Sequence, residues 1–447
     1  MIIGFRIHAF IALITAALIV SFLGPLPASS DVTFIGRVAV ALGSTAGKIG
    51  IVIALATIIG RCLIDSGAAD RVVRMFMNLL GEKLAPVSLM TSGFFLSVPV
   101  FFDTVFYLLM PLARSMHRRT GQKYLLMILT MGAGATITHA LVPPTPGPLI
   151  IAENLGIDLG MMMMIGLAIS IPTAMITLFG IWLLSLKMDI PMRPIEGAGP
   201  EPEPLPDDKL PGLFVSLLPI ILPVIMISSN TIVGALADKG IGGANIAALT
   251  KVTVILGDAN LAMLASAVIA LMVLYKQRRP TLSQLSKTVE SALMSGGVII
   301  LITSAGGAFG AMLKTAQIGP AIEGMFTNSG GEHLAGIKLL LLCFFVAFLL
   351  KFAQGSTTVS MITTSAMIAS MITSPEAIGF HPVYLACAIG FGAQCGNWMN
   401  DSGFWIFAKM SGLTEVETLK TWTLTVSSLA VVGLIITIIF ATIWPMA

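Results

Sequence analysis

Charge is what this chain lacks most. Only 11% of its 447 residues are Asp, Glu, Lys or Arg, while 56% are hydrophobic. Soluble domains carry about a quarter charged residues, so a water-soluble globule is excluded. Cysteine is scarce too: Cys62, Cys343, Cys387 and Cys395 each stand alone in apolar sequence. That spacing offers neither a metal-ligand pattern nor a disulfide framework, and no metal or other cofactor is expected. A nucleophile and base at helical spacing are missing, so an enzyme is not expected either. The net charge of +3 is small, and in so apolar a chain it does not point to a nucleic-acid partner. Gly43-Ser44-Thr45-Ala46-Gly47-Lys48-Ile49 superficially resembles a phosphate loop. It is one residue short and lacks the hydroxyl after lysine, so it is not one.

Long apolar runs dominate what remains. Full spans are expected near 9–27, 47–64, 124–152, 159–187, 212–232, 260–275, 291–313, 382–402 and 421–444, each long enough for a bilayer. The run near Arg6 and His8 reads as a first span, not a cleaved leader, because the rest of the chain is itself membrane-embedded. Two further stretches, 86–112 and 338–374, are apolar but interrupted by Ser97–Thr104 and Lys351–Thr358. Charges and broken helices at membrane depth are costly and are kept mainly where they line a solute path. The pair of interruptions therefore points to a transporter embedded in the lipid bilayer.

Basic loops give the topology. Arg61, Arg71, Arg74 and Lys83 precede the stretch 86–112, and Arg114, Arg118, Arg119 and Lys123 follow it. Both groups read as cytoplasmic, so this stretch enters and leaves on one side as a re-entrant hairpin with Pro99 and Asp103 near its turn. The segment 188–211, rich in proline, reads as an extended cytoplasmic linker between a first repeat (1–187) and a second half (212–447). Lys276–Arg279 and Lys287 are cytoplasmic, 24–36 is external, the N-terminus is cytoplasmic and the C-terminus external. An internal match at an offset of 250 sets Gly60–Phe76 against Gly310–Phe326 and Phe101–Thr104 against Lys351–Gln354. With opposite loop polarity, the halves become inverted repeats, a recurring transporter plan. The expected fold is an all-α polytopic membrane protein of two inverted repeats, each with a re-entrant hairpin and a broken transmembrane helix.

Four polar constellations carry the chemistry. Asp103 and Thr104 sit at the first hairpin tip. His139 precedes Pro143-Pro144-Thr145-Pro146-Gly147-Pro148, where proline must interrupt the span 124–152. Lys351 is followed by Gln354-Gly355-Ser356-Thr357-Thr358, and a helix starting after Gly355 would offer free N–H groups to an anion. Asn397, Asn400, Asp401 and Ser402 lie at the end of the span 382–402. One cation, carboxylates, an imidazole, amides and hydroxyls suit a small hydroxylated organic anion. Lys351 and the Gly355 terminus would neutralise its carboxylate. Ser356, Thr357, Thr358, Asn397 and Asn400 would bind hydroxyls, with Thr104, Thr145, Gly147, Gln354 and Ser402 lining the site. Asp103 or Asp401, or His139, would take the coupling proton. Gly257-Asp258-Ala259-Asn260 reads as a helix cap or part of the permeation path, and Met161–Met164 as packing material.

These motifs together resemble the gluconate permease (gluconate:proton symporter) family of the ion-transporter superfamily. The carriers are Pro99–Asp103, His139 with Pro143–Pro148, Gly257–Asn260, Ala305–Gly310, Ala353–Thr358 and Met399–Trp405, in order along nearly the whole chain. The resemblance implies proton-driven uptake of an aldonate-type sugar acid through the cell inner membrane, an elevator-type fold and a homodimer. The chain departs from the family pattern at three positions: Thr145 where histidine is usual, Lys351 where arginine is, and Thr104 in place of an apolar residue. An ammonium lacks the planar fork of a guanidinium, so another acid is open. The alternative is a sodium-coupled carrier of another small organic acid or a D-serine-like amino acid.

Overall fold

The computed structural model describes residues 8–24, 33–193, 206–238, 241, 243–316, 336–372 and 378–446. Every regular element among them is helical. In chain order these are α1 (Ala9–Leu23), α2 (Phe34–Ser66), α3 (Ala68–Leu80), α4 (Ala85–Leu96), α5 (Phe102–Thr120), α6 (Tyr124–Leu141), α7 (Pro146–Leu155) and α8 (Leu159–Lys187). They continue as α9 (Leu213–Asp238), α10 (Gly243–Leu256), α11 (Ala259–Arg278), α12 (Leu282–Thr315), α13 (Ile337–Gln354), α14 (Thr357–Met371), α15 (Val383–Gly392), α16 (Ser402–Ser411) and α17 (Glu415–Ile443). Among the described residues, eight elements are long and apolar enough to cross a membrane, counting α6 and α7 as one. The chain is a multi-pass membrane protein.

The two halves run in opposite directions. Arg278 at the end of α11 donates from Nε to the carbonyl of Asp65 at the end of α2, at 2.8 Å. Gly24 after α1 lies against Ala316 after α12. So α1 ends on one face and its counterpart α11 on the other, while α2 and α12 are likewise opposed. The packing is reciprocal: α1 rests on α12 and α11 rests on α2. Asp258 caps α11, accepting from the N–H groups of Asn260 and Leu261 at 3.0 and 3.1 Å, which gives this residue its structural place.

Both hairpins are present and open on opposite faces. The first is α4 and α5. Its base is fastened by the Arg119–Glu82 ion pair and by Gln122 donating to the carbonyl of Glu82 at 3.0 Å. Its returning leg runs past the expected 112, through Pro111, to Thr120. The second is α13 and α14, whose base is closed by the N–H of Gly336 donating to the carbonyl of Ile378 at 3.1 Å. Around the first base gather Arg114, Arg118, Arg119 and Lys123, which define a basic face; the second base lies at the opposite end, near Pro445, whose carbonyl accepts from the N–H of His381 at 2.8 Å.

The repeat register shifts along the chain. The offset of 250 holds for α1 and α11, but α5 begins at Phe102 and α14 at Thr357, and α7 begins at Pro146 and α16 at Ser402. The offset has become 255 and 256 by these elements. Asp103 therefore corresponds to Thr358 and not to Ala353. The physical reason is the longer outgoing leg of the second hairpin, 18 residues in α13 against 12 in α4. The aligned segment Ile322–Phe326, linker residues 194–205 and loop residues 25–32 fall outside the described residues.

The spans 124–152 and 382–402 are each broken, in a different way from the sequence expectation. The first break is confined to 142–145; Pro146 and Pro148 start α7, where a missing N–H costs nothing. The second span does not end at 402 but resumes as α16 to Ser411, giving a partner for α7. Small residues let hairpin and broken helix approach closely in both repeats. A Cβ on Gly134 would stand 2.1 Å from the carbonyl oxygen of Met90, and one on Gly392 would stand 2.3 Å from that of Phe344. The amphipathic helix α3 and the helix α10 were absent from the sequence expectation.

Candidate functional site

Four half-helices begin inside the protein: α5, α7, α14 and α16. Each has a first turn whose N–H groups lack intrahelical partners. Packing brings these starts together. Phe102, first residue of α5, lies against Gly403 of α16, and Gly147 of α7 lies against the sulfur of Met361 in α14. Gly390 of α15 packs on the backbone of Ala140 in α6. Gln394 ties the two broken helices, donating from Nε2 to the carbonyl of Thr136 at 2.6 Å. The site is thus the crossing point of the repeats, where four positive helix ends favour negative charge.

Its densest part joins the second hairpin to the second break. Lys351, 0% exposed, forms an ion pair with Asp401, 6% exposed. The same ammonium donates to the carbonyl of Gly355 at 2.7 Å. Asp401 caps α16, its Oδ1 accepting from the N–H of Gly403 at 2.6 Å, while Oδ2 accepts from Asn397 Nδ2 at 3.0 Å. Asn400 and Trp398 both donate to the carbonyl of Phe352, at 2.7 and 2.9 Å. Gly355 turns the hairpin with φ +86°, in a space bounded by the carbonyl of Asn400. Ser356 caps α14, accepting from the N–H of Val359 at 3.3 Å. Thr357 and Thr358 are half-buried in that first turn, and Gln354 donates to the carbonyl of Ser356 at 3.2 Å. Ser402 is exposed.

The first repeat contributes fewer polar contacts. Thr145 is buried and donates to the carbonyl of Val142 at 2.7 Å. His139 meets the ring of Phe101 edge-on, with centroids 6.0 Å apart, and its Nδ1 has no hydrogen-bond partner among the described residues. Asp103 and Thr104 are half-buried in the first turn of α5, and Asp103 makes no hydrogen bond or ion pair with another described residue. Lys351, Gly355, Asn397 and Asp401 thus form one bonded group, with Asn400 held beside it on the carbonyl of Phe352. Thr145, Gly147, His139, Asp103 and Thr104 approach it by packing alone. Unused polar atoms remain at Gln354 Oε1, Gln394 Oε1 and Asn397 Oδ1. Gln394 and Trp398 were overlooked; the signal for both was the run Gln394–Trp398, an amide-bearing stretch inside an apolar span.

On the basic face a cavity of about 1250 Å³ opens between α3 and α5, lined by Asp70, Arg74, Tyr107, Arg119, Asp207 and Arg278 among others. Burial raises the pKa of Asp70, and Arg74 and Arg278 oppose that rise. The first hairpin touches α2 at its tip, where Val100 meets Gly60. The second is packed against α12, with Ile362 on Gly306 and Ala366 on Gly310. The cavity opens on the basic face, at the base of the first hairpin, and its lining includes none of Lys351, Gly355, Asn397 and Asp401.

A match to the GntP family permeases extends over residues 1–443. The chain belongs to this family. Gluconate permease of Pseudomonas aeruginosa is 30% identical over 437 residues, covering 96% of this chain and 92% of that protein. The Gnt-II system L-idonate transporter of Escherichia coli is 28% identical over 433 residues, covering 97% and 94%. The solved structure of MtrF, an antimetabolite efflux pump of Neisseria gonorrhoeae, has a TM-score of 0.64 at 15% identity, covering 99% of this chain and 96% of that one. That likeness bears on the fold alone. This GntP family member is a transporter, not an enzyme.

Proposed function

We propose that this permease takes up gluconate or a closely related sugar-acid anion together with a proton. The observation that carries the reading is a fully buried lysine at the meeting point of four helix N-termini. Such a place attracts one small anion and excludes lipid. The amides and hydroxyls of Asn397, Asn400, Ser356, Thr357 and Thr358 would bind the polyol chain. The names of the relatives, a gluconate permease and an L-idonate transporter, support this substrate class. The protein resides in the cell inner membrane as a homodimer, with its N-terminus and basic face in the cytoplasm. The bundle of hairpins and broken helices (α4–α7, α13–α16) slides against a scaffold of the remaining spans. Residues 1–187 and 212–447 are the repeat-bearing halves, joined by the linker 188–211.

Uptake by proteoliposomes tests this, with pH and sodium gradients imposed separately. Gluconate should accumulate when the interior is alkaline, and a protonophore should abolish the accumulation. Accumulation driven only by sodium, or confined to a D-serine-like amino acid, would overturn the reading.

A further inference from the structure

We propose that Asp401 and the substrate carboxylate compete for one cation, Lys351, so that protonation of Asp401 opens the anion site. The inference rests on the sugar-acid reading above. Lys351 is not waiting for a ligand: its ammonium is held by Asp401 and by the carbonyl of Gly355. Asp401 also occupies the start of α16 through the N–H of Gly403. While both side chains are charged, an incoming carboxylate meets a neutralised cation and a like charge. Two carboxylates cannot share such a site ionised without strong penalty.

Protonation reverses this. The proton passes from solvent to a carboxylate oxygen of Asp401, and no other covalent bond changes. Lys351 is then a buried cation without its counter-ion, the costliest arrangement for such a pair, and the substrate carboxylate replaces what was lost. Asn397 is placed to assist. Its Nδ2 donates to Asp401 Oδ2 while its Oδ1 has no partner, and a flip of the amide presents an acceptor to the new acid proton. The other ionisable residues on the elements around the pair are Lys338 and Cys343 (α13), Asp103, Tyr107, Arg114, His117, Arg118 and Arg119 (α5), Tyr124 and His139 (α6), Tyr384 and Cys387 (α15), Cys395 in the loop before Asp401, Lys409 (α16), and Glu415, Glu417 and Lys420 (α17). Glu417 is engaged by Arg193 at 2.6 Å.

Charge balance then explains coupling. The empty site with Lys351 and Asp401 both charged is neutral. The site holding one proton and one anion is neutral as well. A site holding either alone carries net charge, which is expensive within a membrane. Only the empty and fully loaded forms move, and the result is symport.

Calorimetric titration of the purified full chain with gluconate, in buffers of differing ionisation enthalpy, counts protons. Wild type should take up one proton per anion, with affinity tightening about tenfold per unit fall in pH where Asp401 is charged in the free protein. Asp401→Asn should bind with no proton uptake and a flat pH profile. In proteoliposomes it should exchange labelled gluconate without accumulating it. Should that variant not fold, infrared difference spectra of wild type decide. Gluconate should remove a carboxylate band from the protein and add a protonated-acid band, and the lack of that change would overturn the proposal. Proton uptake that persists in Asp401→Asn, or vanishes only in Asp103→Asn, would also overturn it. Wild type that binds gluconate with no proton uptake at any pH defeats this inference and leaves the substrate class standing. Wild type that binds no gluconate at any pH defeats the substrate reading and this inference with it.

Discussion

Gly355 holds the most constrained backbone of the site. Its φ of +86° lies in the left-handed region, and an added Cβ would stand 2.1 Å from the carbonyl oxygen of Asn400. For Gly355→Ala we expect about 1–2 kcal/mol from the backbone alone and about 1–3 kcal/mol more from the collision. The collision would also push Asn400 off the carbonyl of Phe352. Thermal unfolding in detergent should show the loss of stability. Gluconate affinity should fall alongside it, because the Gly355 carbonyl orients Lys351. An alanine variant with wild-type stability and affinity would contradict this account. At this scale the sequence was informative about identity and silent about pairing. Lys351, Gly355 and Asp401 were all singled out, since charge and glycine stand out in apolar runs. That Lys351 faces Asp401 depends on how α13 crosses the 393–401 loop, and no local pattern encodes that crossing.

Among the elements, the hairpins and the first break were readable because proline, glycine and loop charge leave local marks. A break in the second repeat was expected as well, but its span was ended at 402, because nothing in Asn397–Ser402 marks the resumption of the helix as α16. The amphipathic α3 leaves no long apolar run in the sequence, because it buries one face alone. The register shift was hidden because the extra length of α13 is apolar and resembles any other span. Packing distinguishes two kinds of contact for the second hairpin. Against α7 it is bonded, with Asn154 donating to Ser365 Oγ at 2.8 Å. Against α12 it is apolar, with Gly310 facing Ala366. In a background without native cysteines, oxidised Gly310→Cys/Ala366→Cys should stop uptake by at least about tenfold, restored by reductant, while gluconate binding persists. Oxidised Asn154→Cys/Ser365→Cys joins parts of one moving bundle and should transport normally. Equal inhibition by both cross-links would contradict the assigned division between bundle and scaffold.

For the whole molecule, sidedness follows from the basic face. Lys287 and Lys338 are both exposed and lie at opposite ends of the fold. A membrane-impermeant maleimide should label Lys338→Cys in intact cells, and Lys287→Cys only in inverted vesicles. The reverse pattern would invert the topology inferred from the charges.

The second hairpin is seated on α12 through Gly306 and Gly310, whereas the first meets α2 only near Gly60 and leaves a cavity on the basic face. In the proposed sliding of bundle against scaffold, each of the inverted copies, α1 to α8 and α11 to α17, would take up the arrangement the other holds here. That exchange would seat the first hairpin on α2 and lift the second from α12, moving the open cavity from the basic face to the far one. One polypeptide, through its own approximate symmetry, thus outlines both end points of its working stroke.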